Sequence, residues 1–365
     1  MDKIKVGLLF GGKSSEHEVS LQSAKNIMEA IDHDKYDVTL VGIDKQGNWH
    51  LNNNTNYLIN DDNPKLIELN KTNKIIAVVP GRVNNQILNI NSSEALEQLD
   101  VIFPILHGPS GEDGSVQGMI RMANIPCVGP NVLSSAICMD KDIAKRLLQA
   151  SGYKVADWVS VKKSAKNHPS FYEVKEKLGT PFFIKPANQG SSVGVSKARS
   201  EKDYIEGLKM AMLYDHKVLL EENVIGREIE CGVLGNENPQ ASLPGEILPN
   251  GDFYSYETKY IDENGAVLKI PADLSEELKK KIQEQSIEAF EILECQGLAR
   301  VDYFLKEDGS LVINEVNTLP GFTKISMYPK LWEISGIPYP VLIEKLIDLA
   351  IDRHKQNHNL KNSVD

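Results

Sequence analysis

At 365 residues, 41% of them hydrophobic and 25% charged, the chain has the length and composition of a globular protein with two or three domains and room for buried cores. A formal net charge of −11 excludes a broad nucleic-acid surface, so any phosphate recognition has to be local. The start, Met-Asp-Lys before a short apolar strand, carries no leader pattern and no long apolar run follows, which predicts a cytoplasmic protein with no membrane span; Cys127, Cys138, Cys231 and Cys295 are too widely spaced for a metal or redox motif.

The first predicted elements are a strand over Ile4–Phe10, a Gly-rich turn, a helix in which Val19, Ser23, Ile27, Ala30 and Ile31 recur at helical spacing, and a strand over Val38–Ile43. This β-α-β succession places the amino-terminal region in the α/β class with a parallel sheet. The run Gly7-Leu-Leu-Phe-Gly-Gly-Lys13-Ser14 satisfies the P-loop expression, but Gly7 to Phe10 are the strand itself. Too few residues remain for a phosphate cradle, and that reading is rejected. From Asn48 to Asn91 the chain is polar and Asn-rich around short strand-like runs, which reads as a surface excursion. A strand over Val101–Leu106 returns to the sheet, and Ile125–Pro130 reads as its last strand and the exit to a new domain. The loops Gly11–Glu16 and His107–Gly114 each follow a strand. Both therefore lie at the carboxyl edge of the sheet, where open α/β folds place ligands, and bring Glu16 and His107 to one region.

Asp140 to Ser151 predicts a helix, and strands follow over Pro181–Pro186 and Lys217–Glu222. Between those strands, Asn188-Gln-Gly-Ser-Ser-Val-Gly194 can turn successive N–H groups and the hydroxyls of Ser191 and Ser192 toward an anion. Lys185, on the preceding strand, supplies the point charge such a loop lacks. Lys141 is either a second such cation or a solvated helix lysine. Glu221-Glu222-Asn-Val-Ile-Gly-Arg-Glu228 reads as a strand end, a turn at Gly226 and a new strand. It is either a hinge whose backbone pairs with an adenine edge while Glu228 accepts from ribose hydroxyls, or a solvated glutamate pair. The stretch 249–265, which contains Lys259 and Tyr260, is either a mobile flap over a wet site or a buried hairpin. Helices are expected over Ser275–Leu293 and Pro338–Arg353, and the last dozen residues are polar.

The most informative stretch is Gly297 to Asn317. Asp308-Gly309 is a favoured two-residue hairpin turn between Tyr303-Phe304-Leu305 and Leu311-Val312-Ile313. Such a turn sets Asp302 opposite Glu315 and Arg300 opposite Asn317, with all four side chains on one face. Two carboxylates, an amide oxygen and a guanidinium suit Mg²⁺ or Mn²⁺ shared with a phosphorylated substrate. The loop Thr318-Leu-Pro-Gly-Phe-Thr then stands at the mouth of the site.

Together, Gly-Gly-Lys-Ser-Ser-Glu-His-Glu-Val-Ser-Leu, His-Gly-Pro-Ser-Gly-Glu-Asp-Gly, Lys-Pro-Ala-Asn-Gln-Gly-Ser-Ser-Val-Gly, Tyr-Glu-Thr-Lys-Tyr and Asn-Glu-Val-Asn-Thr-Leu-Pro-Gly-Phe-Thr closely resemble, in order and spacing, the D-alanine:D-alanine ligases of the ATP-grasp superfamily. The resemblance runs from Lys3 to about Arg353. It implies an amino-terminal parallel α/β domain over 1–130, then a two-lobed ATP-grasp fold with α+β lobes over 131–222 and 223–365, and ATP held between the two lobes. It also implies a homodimer that makes the dipeptide for peptidoglycan. By the same resemblance Lys141, Lys185 and Lys259 hold phosphates, and two Mg²⁺ or Mn²⁺ ions share Asp302, Glu315 and Asn317. Arg300 would stabilise the transferring phosphoryl group, Glu16 hold the first D-alanine ammonium, and His107 lie near that substrate. Ser191 and Tyr260 would form a network with Glu16, while Ser326 and the backbone at Gly321 receive the second carboxylate. The Lys259-Tyr260 pair, from which the D-lactate-using relatives depart, favours a dipeptide product, with D-lactate or D-serine as the alternative second nucleophile.

Overall fold

The computed structural model of the chain describes residues 2–82, 84–249 and 266–361. The flap expected over 249–265, with Lys259 and Tyr260, thus lies almost wholly outside the described residues. Three larger sheets follow one another along the chain, each covered by helices from its own stretch of sequence, and the carboxyl-terminal helices add to the cover of the first and third.

The first sheet holds β1 (Ile4–Gly11), β2 (Tyr36–Ile43), β3 (Trp49–Asn52) and β8 (Val101–Ile105) in the order β3-β2-β1-β8. β1 runs parallel to β2 and β8, whereas β3 is an antiparallel edge. Helix α1 (His17–Ala30) makes the crossover, burying Leu21, Ala24 and Ile27 on the sheet. Because Gly7 lies inside β1, where an added Cβ would stand 2.6 Å from Leu99, it has no part in a phosphate loop. The Asn-rich excursion resolves into two small hairpins, β4 (Leu58–Ile59) with β5 (Glu68–Leu69) and β6 (Ile76–Val78) with β7 (Ile87–Asn89). The segment expected as a last strand over Ile125–Pro130 is only an isolated parallel bridge, with Ile102 N–H donating to Pro126 O at 2.8 Å and Val128 N–H to Ile102 O at 2.8 Å. Proline at 126 and 130 removes the donors a longer ladder needs.

After α2 (Ser115–Met122), α3 (Val132–Met139) and α4 (Lys141–Ala150), the second sheet is antiparallel. It comprises β9 (Trp158–Lys162), β10 (Phe182–Pro186), β11 (Ser196–Ala198) and β12 (Lys217–Glu222), in the order β11-β10-β12-β9. Helices α5 (Phe171–Leu178) and α6 (Glu201–Tyr214) cover it, each begun by a serine capping box, and the aromatic rings of Phe171, Phe182 and Tyr204 pack between.

The third sheet contains β13 (Arg227–Gly235), β14 (Gln240–Ala241), β15 (Gly245–Pro249), β16 (Ala266–Lys269), β17 (Gly297–Leu305) and β18 (Leu311–Asn317). Its path is β16-β15-β13-β17-β18, with β14 on β13. Helix α7 (Glu276–Ile292) packs on one face against β13 and β17, in the core that also holds Val301, Tyr303 and Ile313. Helices α8 (Met327–Ile334) and α9 (Tyr339–His358) complete the described chain; α9 is a turn longer than the sequence suggests. It buries Leu342, Ile343, Leu346 and Ile347 in the same core as Val6, Val38 and Phe103 of the first sheet, so the two ends of the chain share one apolar cluster. Arg353 fixes that union, donating to Gly129 O at 2.7 Å and Cys127 O at 2.6 Å.

The carboxyl edge of the first sheet is held by one buried hydroxyl. Ser20 Oγ accepts from Gly11 N–H at 2.7 Å and donates to Ile105 O, tying the ends of β1 and β8, from which the Glu16 and His107 loops depart. Ser20→Ala is expected to strand a buried N–H and a buried C=O and to cost about 1–3 kcal/mol. A urea midpoint unchanged from the parent would show that these ends are held by other contacts.

Candidate active site

The hairpin places its polar face as expected, although by a different route. The loop between β17 and β18 has three residues, Glu307-Asp308-Gly309. Lys306 N–H donates to Ser310 O at 3.0 Å, Gly309 has a φ of 76°, and Leu305 faces Leu311. That is a three-residue turn with glycine in the left-handed region. On its own it would have set Asp302 opposite Asn314. A β-bulge between Asp302 and Tyr303 absorbs one residue of β18, and the observed pairs are Asp302 with Glu315 and Arg300 with Asn317. Arg300 grips Asp302 through Nε–Oδ1 at 2.7 Å and Nη2–Oδ2 at 2.8 Å, and Asn317 Nδ2 donates to Asp302 Oδ2 at 2.8 Å.

The other sheets deliver their groups to the same cleft. Its lining includes Glu16, His107, Gly190, Ser191, Arg300, Glu315, Asn317, Gly321 and Ser326. Glu16 sits at the amino end of α1, where the helix dipole favours a carboxylate, and Ser191 Oγ of the second-sheet loop donates to its Oε1. Glycines close on it from both sides: a Cβ on Gly108 or Gly190 would come within 2.7 or 2.8 Å of Glu16 Oε2. Ser191 and Ser192 have φ of 48° and 61°, the left-handed turns that a nest of N–H groups requires. Ser326 precedes α8, its hydroxyl 2.7 Å from that of Thr323.

His107 is buried. Its Nδ1 lies 3.2 Å from Leu319 O, which can only accept, so Nδ1 carries the hydrogen, and Nε2 lies 3.2 Å from Ser23 Oγ. Burial holds its pKa down at about 4 despite the Leu319 carbonyl, and the ring is neutral. It joins the first-sheet loop to the loop after β18.

Lys141 opens α4 behind its N-cap Asp140, donates to Gln189 O at 2.7 Å, and stands 3.7 Å from Glu315. Lys185 pairs with Glu221, whose carboxylate is also held by Lys145 at 2.9 Å. Burial pushes the Glu221 carboxyl upward, but the two lysines outweigh it and hold the group at about 2. Glu221 thus turns its side chain to buried lysines rather than to an open surface. Glu222 Oε1 accepts from Asp157 N–H at 2.9 Å. Glu228 pairs along its backbone with Ile247 and Phe304, in the sheet that bears Asp302. Lys185, Ser192, Glu221, Glu222 and Glu228 therefore flank the cleft rather than line it.

Three groups escaped the sequence reading. Lys145 is four residues after Lys141 on the same helical face. Glu230 follows Glu228 by two along β13 and so shares its face; its Oε2 is 2.9 Å from Arg300 Nε. Glu112, inside the His107–Gly114 loop, accepts from Gly108 N–H at 2.6 Å. Burial first, then the nearby Glu16 charge, push its pKa up to about 8. Folded Glu112 keeps its proton to about pH 8, whereas the unfolded group loses it near 4.5, so its contribution to stability falls as pH rises through that window. Glu112→Gln, which still accepts from Gly108 but cannot ionise, is expected to gain on the parent steadily across the window. Urea midpoints measured at several pH values check this, and parallel profiles would refute a protonated Glu112.

With this geometry in hand, the relatives of the chain are informative. Residues 5–130 match the model for the D-ala D-ala ligase N-terminus and residues 147–348 that for the C-terminus. A D-alanine–D-alanine ligase of Oceanobacillus iheyensis is 64% identical over 361 residues, covering 99% of each chain. The solved D-alanine-D-alanine ligase of Coxiella burnetii superposes with a TM-score of 0.83 at 36% identity, covering 98% of this chain and 97% of that one. The VanG D-Ala:D-Ser ligase of Enterococcus faecalis gives 0.82 at 34% identity, covering 96% and 100%. A chain matched over its length by both domain models, with Glu16, His107, Arg300 and Glu315 gathered at one cleft, belongs to the D-alanine–D-alanine ligase family.

Proposed function

We propose that this chain joins two molecules of D-alanine into D-alanyl-D-alanine, converting ATP to ADP and phosphate, in the reaction that supplies the dipeptide for peptidoglycan. Full-length family membership supports the reading, and the convergence of the Glu16, Ser191 and Arg300–Glu315 groups from three sheets on one cleft is the observation that carries it. A free carboxylate is a poor acyl donor. Its oxygen attacks the γ-phosphorus of ATP, ADP leaves, and the resulting acyl phosphate is attacked by the neutral amine of the second D-alanine, with phosphate as the leaving group.

Each step has a matching group. The buried Glu16 carboxylate binds the first ammonium, while neutral His107 fills the same wall without repelling that cation. Lys141 and Lys185, with the Ser191–Ser192 loop and Lys259, bind phosphates, and Glu221 holds Lys185 in place. Glu222 and Glu228 flank the nucleotide on the strands either side of the Gly226 turn. Arg300 sets a guanidinium where charge develops on the transferring phosphoryl group and then on the tetrahedral oxygen. Gly321 and the Ser326 hydroxyl take the second carboxylate, and Tyr260 completes the network of Glu16 and Ser191 from the flap.

The donor set of Asp302, Glu315 and Asn317 fits a hard divalent cation, since two carboxylates face each other across the hairpin and the amide nitrogen of Asn317, spent on Asp302, leaves its oxygen as a ligand. Three oxygen ligands suit Mg²⁺ or Mn²⁺ completed by phosphate oxygens. When bound, two such ions would neutralise phosphate charge. We assign the three domains to 1–130, 131–222 and 223–365. The homodimer and the cytoplasmic location rest on the family resemblance; among the described residues no helix is long and apolar enough to cross a membrane.

The deciding experiment is ADP release with D-alanine against L-alanine, with the product identified. D-alanyl-D-alanine formed with D-alanine alone is expected. D-serine or D-lactate incorporated in preference from a mixture would reassign the second nucleophile, and ADP release independent of D-alanine would overturn the reading. Glu315→Gln is expected to lower turnover by about a hundredfold or more, the several kcal/mol that metal-assisted charge neutralisation supplies. Folding should be unaffected, because a half-buried ligand and no core packing is removed. Near-parental turnover in the folded variant would sink the metal assignment.

A further inference from the structure

Arg300 has more negative charge around it than an arginine needs. Asp302 grips it at 2.7 and 2.8 Å, and Glu230, across the sheet on β13, brings a second carboxylate to within 2.9 Å of the same Nε. Glu230 is 6% exposed and stands in register with Asp302, with β15 on its other side, so its backbone is fixed by strands on both flanks. Asp302, in contrast, is doubly committed: both its oxygens face Arg300, and one also accepts from Asn317. As a metal ligand it has to give up at least part of its hold on the guanidinium. If Asp302 were the sole anchor, the cation and Arg300 would compete for one carboxylate, and an arginine losing that competition would be left charged and poorly placed in a half-buried site.

We propose that Glu230 is a positioning residue that retains Arg300 while Asp302 turns to the divalent cation. The inference rests on Asp302, Glu315 and Asn317 being the metal ligands. Glu230 touches neither the reacting atoms nor the metal; it acts through Arg300, lowering what the cation must displace to reach Asp302. Asn317 assists in the same exchange, since its amide nitrogen can stay on Asp302 while its oxygen serves the cation. The pairing of β13 with β17 brings Glu230 and Arg300 to one face of neighbouring antiparallel strands that also carries Asp302.

The test is a double-mutant cycle read by Mn²⁺ binding rather than by turnover. Mn²⁺ is titrated into protein holding one equivalent of ADP, with free Mn²⁺ followed by its electron paramagnetic resonance signal. Glu230→Gln in the parent is expected to weaken Mn²⁺ binding by about tenfold, the size of coupling usual between contacting charged groups. In an Arg300→Met background the same change is expected to have no effect, because no guanidinium is left to hold. Glu230→Asp, which keeps the charge but draws it back from Arg300, should fall between, and serves where Glu230→Gln folds poorly. An equal loss in both backgrounds would overturn the proposal, since Glu230 would then act on the ion directly or through its field, and so would no loss in either. Asp302→Asn separates the inference from its premise: parental Mn²⁺ binding in that variant defeats the metal assignment, whereas lost binding there with none lost in Glu230→Gln defeats only the role of Glu230.

Discussion

The site depends on one inserted residue. The bulge on β18 lets Ile313 and Val316, three apart, both reach the core with Tyr303 and Val301, while Glu315 and Asn317 come to the face of Asp302 and Arg300. A regular ladder from the three-residue turn would put Val316 on the polar face and turn Glu315 and Asn317 to the other side, since a slip of one residue exchanges the faces of a strand. Burial of Val316 and Ile313 in the core beneath α3 and α4 holds the bulge in place, so the apolar core on one side of the sheet sets the register of the charged groups on the other.

Charge then joins the sheets. The cleft is lined by Glu16, Glu112, Glu230 and Glu315 with Arg300, while Asp302 and Lys141 stand behind Arg300 and Glu315, a density of acids tolerable only because they are shared or neutralised. Ser191 reaches Glu16 from the second sheet, Lys141 reaches Glu315 from α4, and His107 reaches Leu319 from the first sheet. Glu112 relieves the crowding by holding its proton. The field of these acids favours positive charge at the centre of the cleft, and the positive charge of Lys141 and Lys185 stands at its margin. An acidic protein that uses ATP needs this division, because its overall field repels the nucleotide.

The same economy explains the shared core of the chain's two ends. Helix α9 covers the first sheet and is pinned through Arg353 to the carbonyls of Cys127 and Gly129, so the loop carrying Gly321 and Ser326 returns to the face that bears Glu16 and His107. Cleft residues separated by some three hundred positions in sequence thus meet across one shared core.

Local pattern in the sequence was enough for several of the elements and for the polar face of the hairpin. Apolar spacing set α1, Gly and Pro marked the turns, strand alternation put Arg300 with Asp302 and Glu315 with Asn317, and the position of loops after parallel strands brought Glu16 and His107 together. These are properties of neighbours within a few residues, governed by periods of 3.6 and 2. Tertiary structure alone decided the rest. The three-residue turn and its compensating bulge are set by a core that takes in both Ile313 and Val316. Glu221 faces two lysines instead of solvent, Glu112 is pushed to about pH 8, and Glu230 meets Arg300. Burial and the approach of distant charges determine these, and no local pattern of residues encodes the distance between two strands that pair only after the chain has folded.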